Sequence, residues 1–293
     1  MQARLIINAD DFGLTPGVNQ AIAELHDAGA VTSATLMATG PAFDNAVALA
    51  LARPSLGIGC HIVLVDGTPV SDPATIPTLL GPDRRTFRNS LGDFALGVLR
   101  GSIRQDEIER EALAQIQKLQ HVGLTLTHAD THKHTHLLSR VTRSVVRALE
   151  QSGVRCIRNP FEPRWAASLS RSMRRSLFVR AFEPGGRRFE ASPPIASQRI
   201  LTTRGTIGIS ATGHLNSTTL NALLQSIPAG TWELVCHPGY NDPDLDAITT
   251  RLRTERETEL QALLAAFRKS SPNPVNPSAL QLIHYGELHD TVN

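Results

Sequence analysis

The chain alternates between short apolar runs and longer stretches in which apolar residues return every three or four positions. Residues 4–10, RLIINAD, form the first run, as expected of a strand buried on both faces of a parallel sheet. Thr15-Pro16 then opens a helix, with Thr as N-cap and Pro at the first helical position, and Gly29 closes it. Residues 32–39 read as a second strand, the stretch after Pro41 as a second helix through residue 52, and residues 56–64 as a third strand. The segment from Val65 to about Arg100 is rich in Pro, Gly and Asp, which predicts a long structured loop with a short helix near 91–100. Ser102 reads as the cap of a longer helix whose Ile108, Ala112, Ile116 and Leu119 share one face. A fourth strand at 124–130, a helix at 139–152 and a strand at 154–160 follow. Later strands are expected at 206–210, 232–238 and 280–286, with helices at 217–226 and 245–268 between them.

Repeated strand–helix alternation predicts a mostly parallel sheet, either open or closed as a barrel. Seven or eight such units in 293 residues favour an irregular, TIM-like (β/α) barrel, a single domain spanning residues 1–293. The alternative is an open, doubly wound sheet. No linker separates two domains, and no internal repeat is evident.

Composition adds bounds. Hydrophobic residues make up 41% and charged residues 19%, enough for a sizeable core and unlike a disordered chain. A net charge of +2 is too mild to imply nucleic acid. Cys60, Cys156 and Cys236 are isolated from one another and suit a reducing compartment. The N-terminal stretch lacks the apolar segment of a signal peptide, and no run approaches the ~18 apolar residues of a membrane span. The expectation is a soluble, cytoplasmic protein.

The polar residues are more informative. Asp10-Asp11 ends the first strand, and His61 lies near the end of the third. His128 and Asp130 end the fourth, which runs into His132, His134 and His136, and Cys236-His237-Pro238-Gly239 ends a late strand. In a parallel barrel these ends share one face, where active sites sit. Two histidines and one carboxylate from different strands form a common catalytic metal set that leaves a position open. Asp11, His61 and one histidine of residues 128–136 are therefore the expected ligands of one divalent ion, magnesium or zinc. Taken singly, each residue has a plainer reading. His61 could be a packed histidine, Asp10-Asp11 a turn cap, and His134 and His136 loop residues, with His136 solvated. The convergence at four strand ends is what packing fails to explain.

Neighbouring strand residues point to opposite faces, so Asp10 and Asp11 both reach a pocket only if the chain turns there, which Phe12-Gly13 permits. Asp10 then serves as general base and His237, from the opposite side of the barrel mouth, as general acid. Asp130 could orient a ligand's second ring nitrogen or bind the metal directly, while His128 and His134 support the site or contact substrate. Trp165, Leu169, Met173 and Leu177 are spaced four apart among arginines. Residues 164–180 thus read as a barrel helix with a solvated basic face, or as a peripheral membrane contact.

The stretches NADDFG (8–13), GCHIVL (59–64), THADTHKHTH (127–136) and CHPG (236–239) occur in the order seen in the YdjC-like (ChbG/HpnK) carbohydrate deacetylases, which this chain resembles. That family includes chitooligosaccharide deacetylases and the hopanoid-associated HpnK proteins. The resemblance implies an irregular (β/α) barrel and metal-dependent removal of N-acetyl groups from amino sugars. It implies Asp11, His61 and His132 as metal ligands, with Asp10 at the position of the family's base and His237 at that of its acid. Residues 61–73 and 157–163 look more like the hopanoid-associated branch, which implies a glycolipid such as an N-acetylglucosaminyl hopanoid. A homo-oligomer is expected. Two competing readings are a metal-dependent phosphoesterase or amidohydrolase, and a non-catalytic sugar-binding descendant. The first commonly places His-x-His at the end of the first strand, where this chain has Asp-Asp. The second conflicts with the joint presence of ligands, base and acid.

Overall fold

A computed structural model describes residues 2–169, 184–267 and 280–291. Among the described residues seven strands form one sheet: β1 (Ala3–Phe12), β2 (Ser33–Leu36), β3 (Gly57–Ile62), β4 (Leu126–Thr131), β5 (Thr206–Ile207), β6 (Gly230–Cys236) and β7 (Leu280–Leu282). The strands are parallel, and their order along the sheet is β4-β3-β2-β1-β6-β5. β6 lines one edge of β1 over Ala3–Ala9. The other edge is divided, with β7 beside Ala3–Leu5 and β2 beside Asn8–Phe12. Helices cover the outer face: α1 (Pro16–Asp27), α2 (Phe43–Leu51), α3 (Leu91–Arg100), α4 (Gln105–His121), α5 (Ser139–Ser152), α6 (Arg164–Leu169), α7 (Ser217–Gln225) and α8 (Thr254–Phe267).

The expected barrel is present only in part: the sheet curls, but it does not close as a full TIM barrel. Beyond β4 the ladder continues as two single bridges, Ala129 to Ile157 and Cys156 to Leu201. The strand expected at 154–160 is reduced to these bridges at Cys156 and Ile157, and Pro160, with no N–H to donate, follows shortly after. The strand expected at 206–210 shrinks to two residues, since the chain turns at Gly208 with φ of 95°. Two helix starts also shift. Ser102 does not cap α4; its hydroxyl donates to Gly97 O at 3.2 Å, and the N-cap is Arg104. The helix expected from 245 begins at Thr254, after a short 3-10 turn at Pro243–Ala247. Of the basic amphipathic stretch at 164–180, residues 164–169 form α6 and the remainder lies outside the described residues. Among the described residues no helix is long and apolar enough to cross a membrane.

The period of two along β1 sorts its side chains. Leu5, Ile7 and Ala9 belong to the main core beneath the helices. Ile6 belongs to a smaller cluster with Cys156, Ile283 and Tyr285 inside the curl, and Asn8 and Asp10 continue that inner phase. The same phase holds elsewhere: Ala34, Cys60, Ala129 and Leu234 pack outward, while Thr35, His61, Asp130 and Glu233 turn inward. Beyond the small apolar cluster around Ile6, inner positions are thus polar and outer ones apolar, which concentrates hydrogen-bonding groups inside the curl. Gly59 is part of this arrangement. A Cβ there would lie 2.5–2.7 Å from three atoms of the His128 imidazole, so only glycine leaves room for that ring.

The long connection after β3 is held by α4. Glu111 accepts from Val70 N and Ser71 N, both at 2.9 Å, and Glu107 accepts from Thr78 N at 2.7 Å. Gln115 bonds both backbone groups of Val63, at 2.8 and 2.7 Å. Buried polar groups on one helix thereby satisfy the backbone of a loop that has little regular structure of its own.

Candidate metal centre

Asp11 lies where β1 departs from regularity. The β1–β2 register shifts between Ala9 and Phe12, and Asp11 has φ of 65°. This left-handed conformation, costing on the order of 1–3 kcal/mol away from glycine, adds the turn that Asp10-Asp11 required. The turn begins at Asp11 itself, and Gly13, with φ of 97°, adds the positive φ expected there. Both carboxylates consequently reach the same side.

Three donor atoms then converge. Asp11 Oδ1 is 3.6 Å from His61 Nε2 and 3.6 Å from His132 Nδ1, and the two nitrogens are 3.2 Å apart. A tetrahedral site with bonds of about 2.0–2.1 Å has ligand–ligand edges of roughly 3.3–3.4 Å, so the spacing fits one small divalent ion. The tautomer fits as well. His61 Nδ1 is 2.6 Å from Asp130 Oδ1, and donation to that carboxylate leaves Nε2 as the nitrogen that faces the triangle. His132 opens a 3-10 turn at His132–Leu137 in which Lys133 and His134 both have left-handed backbone. Lys133 pairs with Asp66 at 3.0 Å and ties this turn to the loop after β3.

A second convergent group, Asp10, His61 and Asp130, lies beside the first. There a cation is already in place. Arg158, fully buried, donates to Asp10 Oδ2 at 2.8 Å and Oδ1 at 2.6 Å, contacts Asp130 Oδ2, and donates through Nε to Glu233 at 2.8 Å. Asp10 also accepts from Asn8 Nδ2 at 3.0 Å, and Thr35 Oγ1 lies within 3.3 Å of Asp10, His61 and Asp130. Glu233 is completed by Thr206 at 2.9 Å and by the Tyr285 hydroxyl.

The electrostatics follow from this packing. Burial alone would raise the pKa of Asp10, but the charge and hydrogen bonds of Arg158 hold it well below the usual carboxylate range. Burial likewise opposes ionisation of Asp11, and Arg256, with Nη2 2.7 Å from Asp11 Oδ2, outweighs it and keeps the group ionised. For His61 burial disfavours the charged ring, yet Asp130, then Asp10 and Asp11, push its pKa up to about 9. The carboxylates therefore create a negative potential at the triangle that favours a bound cation. Burial lowers His132, and lowers His134 to about 3.

Two expectations need correction. His237 was expected across the barrel mouth from Asp10. β6 is instead the direct neighbour of β1, with Ala9 opposite Cys236, and His237 Nε2 lies 3.8 Å from Asp10 Oδ2. Its backbone N–H is held by Glu259 at 2.6 Å, and its Nδ1 is buried without a partner. His136, expected to be solvated, is fully buried with Nδ1 2.6 Å from Thr131 Oγ1, because the turn after β4 folds back under the strand end.

The remaining expected residues are also placed. His128 lies deeper in the curl, stacked on Tyr285 at 3.9 Å with Nε2 2.9 Å from Asn8 Oδ1, so it touches the residue that holds Asp10. His134 has a buried, unpartnered Nδ1. Asp130 has both oxygens engaged, by His61 on one side and by Arg158 and Thr35 on the other. Arg158, Arg256, Glu233 and Tyr285 were not anticipated. Asn8 and Thr35 carried a usable signal, since each lies in the inner phase of an apolar strand.

Comparison with known proteins identifies the family. A carbohydrate deacetylase of Brevibacillus brevis strain 47 is 32% identical over 291 residues, spanning 97% of this chain and 99% of its own. A carbohydrate deacetylase of Homo sapiens is 34% identical over 253 residues, spanning 81% and 75% respectively. A provisionally named cellobiose-phosphate cleavage protein from Enterococcus faecalis V583 shares the fold, with a TM-score of 0.77 at 24% identity over 98% of this chain and 99% of that one. The YdjC-like protein family matches residues 4–269, and the chain belongs to that family.

Proposed function

We propose that this protein is a divalent-metal-dependent carbohydrate deacetylase that hydrolyses the acetamide of an N-acetylated amino sugar. The observation that carries this reading is the meeting of Asp11, His61 and His132 at 3.2–3.6 Å beside an ionised Asp10. The carbohydrate substrate class comes from the relatives' names.

Asp11, His61 and His132 hold the ion. When bound, such an ion lowers the pKa of water to about 7 and polarises a carbonyl. Asp10, kept ionised and oriented by Arg158, takes the proton of the attacking water. The water oxygen bonds to the acetyl carbon, the C–N bond breaks, and His237 donates a proton to the departing nitrogen. The products are acetate and a free amino sugar. Because His237 Nε2 and Asp10 Oδ2 are 3.8 Å apart, the proton gained by one can return to the other over a short path. Asp130 holds His61 with Nε2 toward the ion site, His128 acts on Asp10 through Asn8, and His134, whose Nδ1 lacks a partner, is the histidine left to contact substrate. The substrate is an oligosaccharide or a glycolipid such as an N-acetylglucosaminyl hopanoid. The likeness of residues 61–73 and 157–163 to the hopanoid-associated branch favours the glycolipid.

An acetate-release assay on metal-loaded protein tests the reading, with N-acetylated oligosaccharides and an N-acetylglucosaminyl lipid as substrates. Asp10→Asn is expected to keep the ion and lose turnover, and His132→Ala to lose the ion. Metal-loaded protein that releases no acetate from any of these sugars, yet hydrolyses a phosphoester, would sink it.

A further inference from the structure

Arg256 stands in the first turn of α8, 245 positions from Asp11, and is 1% exposed. Its Nη2 donates to Asp11 Oδ2 at 2.7 Å, and its Nε donates to Leu252 O at 3.2 Å. The guanidinium is therefore anchored at its base as well as its tip. A Cβ on Gly239 would lie 3.0 Å from Arg256 Cδ and 2.9 Å from Val18 Cγ2, so the glycine of CHPG clears the path the arginine takes. Gly239 N also donates to Arg256 O, at 3.3 Å.

This contact divides the Asp11 carboxylate. Oδ2 is taken by the guanidinium, and Oδ1 faces His61 Nε2 and His132 Nδ1, each at 3.6 Å. A carboxylate with one oxygen so engaged is fixed in rotation and offers a metal a single oxygen. Arginine does not lose its proton in proteins, so the division persists. We propose that Arg256 is a positioning residue that holds Asp11 as a single-oxygen ligand of the divalent ion. The proposal rests on the metal reading above, and it adds a residue outside the ligand set that determines how one ligand binds.

The test measures cobalt(II) binding to the full chain without substrate, by calorimetry and by the visible spectrum of the cobalt-loaded protein. The variants are Arg256→Met, Arg256→Lys and Gly239→Ala, each checked for folding by circular dichroism. Arg256→Met is expected to weaken binding by about 10–100-fold, the usual effect of losing a group that orients a ligand, and to alter the cobalt spectrum as Asp11 is released. Arg256→Lys recovers part of the affinity. Gly239→Ala, acting from a different element, weakens binding in the same direction by displacing the arginine. Should Arg256→Met fail to fold, the other two variants decide. Folded Arg256→Met with wild-type affinity and spectrum overturns the proposal, as do Arg256→Lys and Gly239→Ala if both bind and absorb like wild type. A wild-type chain that binds no cobalt overturns both this proposal and the metal reading. With no substrate present, loss of deacetylation is read separately.

Discussion

Replacing Arg158 with methionine removes the buried cation that contacts Asp10, Asp130 and Glu233 together. Methionine has similar length and no charge, so the change is mainly electrostatic. Breaking a buried ion pair by deleting one partner costs about 3–5 kcal/mol, and a cation serving three carboxylates belongs at the upper end of that range. Against a total stability of roughly 5–15 kcal/mol the loss is large. At about 2–4 °C per kcal/mol, a 5 kcal/mol loss lowers Tm by roughly 10–20 °C. The pH dependence has a definite sign. In the wild type the folded pKa of Asp10 lies below its unfolded value of about 3.9, so its contribution is present above that pH and is lost as pH falls through the folded value. Without Arg158, burial raises the folded pKa of Asp10 above the unfolded one, and the charged form penalises folding at neutral pH. That penalty fades as pH falls through the raised value. Urea denaturation of metal-free protein, followed by circular dichroism between pH 8 and 5, should therefore show a gap between the two proteins that narrows toward pH 5. A gap below about 1 kcal/mol, or one that stays constant with pH, would refute the reasoning.

Other outcomes are also expected. Asp130→Asn should weaken divalent-ion binding by about 10–100-fold in calorimetry, because His61 loses the acceptor that sets its tautomer; unchanged affinity would place Asp130 outside the ion's support. Gly59→Ala should cost about 1–3 kcal/mol in urea denaturation through collision with the His128 ring, and should cost far less in a His128→Ala background. Equal losses in both backgrounds would argue against that collision. Chelation by EDTA should abolish acetate release and leave the far-ultraviolet circular dichroism intact, because the apolar core does not depend on the ion. Unfolding on chelation would instead make the ion structural.

The residues that came together were legible because each sits at the end of a recognisable strand. Asp10, His61, Asp130 and His237 could be placed on one face because each ends a strand of a parallel sheet. Their neighbours could not: nothing in the pattern says that β6 lies next to β1, so His237 was assigned to the wrong side of Asp10. Arg158 was missed because it follows a strand fragment reduced to single bridges, and its partners lie as far as 148 positions away. Arg256 was missed for another reason. It lies in a charged helix opening, TERETEL, that reads as solvated surface, and only the tertiary fold buries it against Asp11. His136 shows the same failure, since a polar residue in a polar tract carries no mark of burial.

The connection after β3 is held to α4 in part through its backbone. At residues 70 and 71, Glu111 grips amide N–H groups, which every amino acid except proline supplies. The side chains at these two positions take no part in those two bonds. Substitutions there can change the side chains the connection carries without releasing its backbone from α4, so this stretch can vary in sequence while the inner polar network stays as it is.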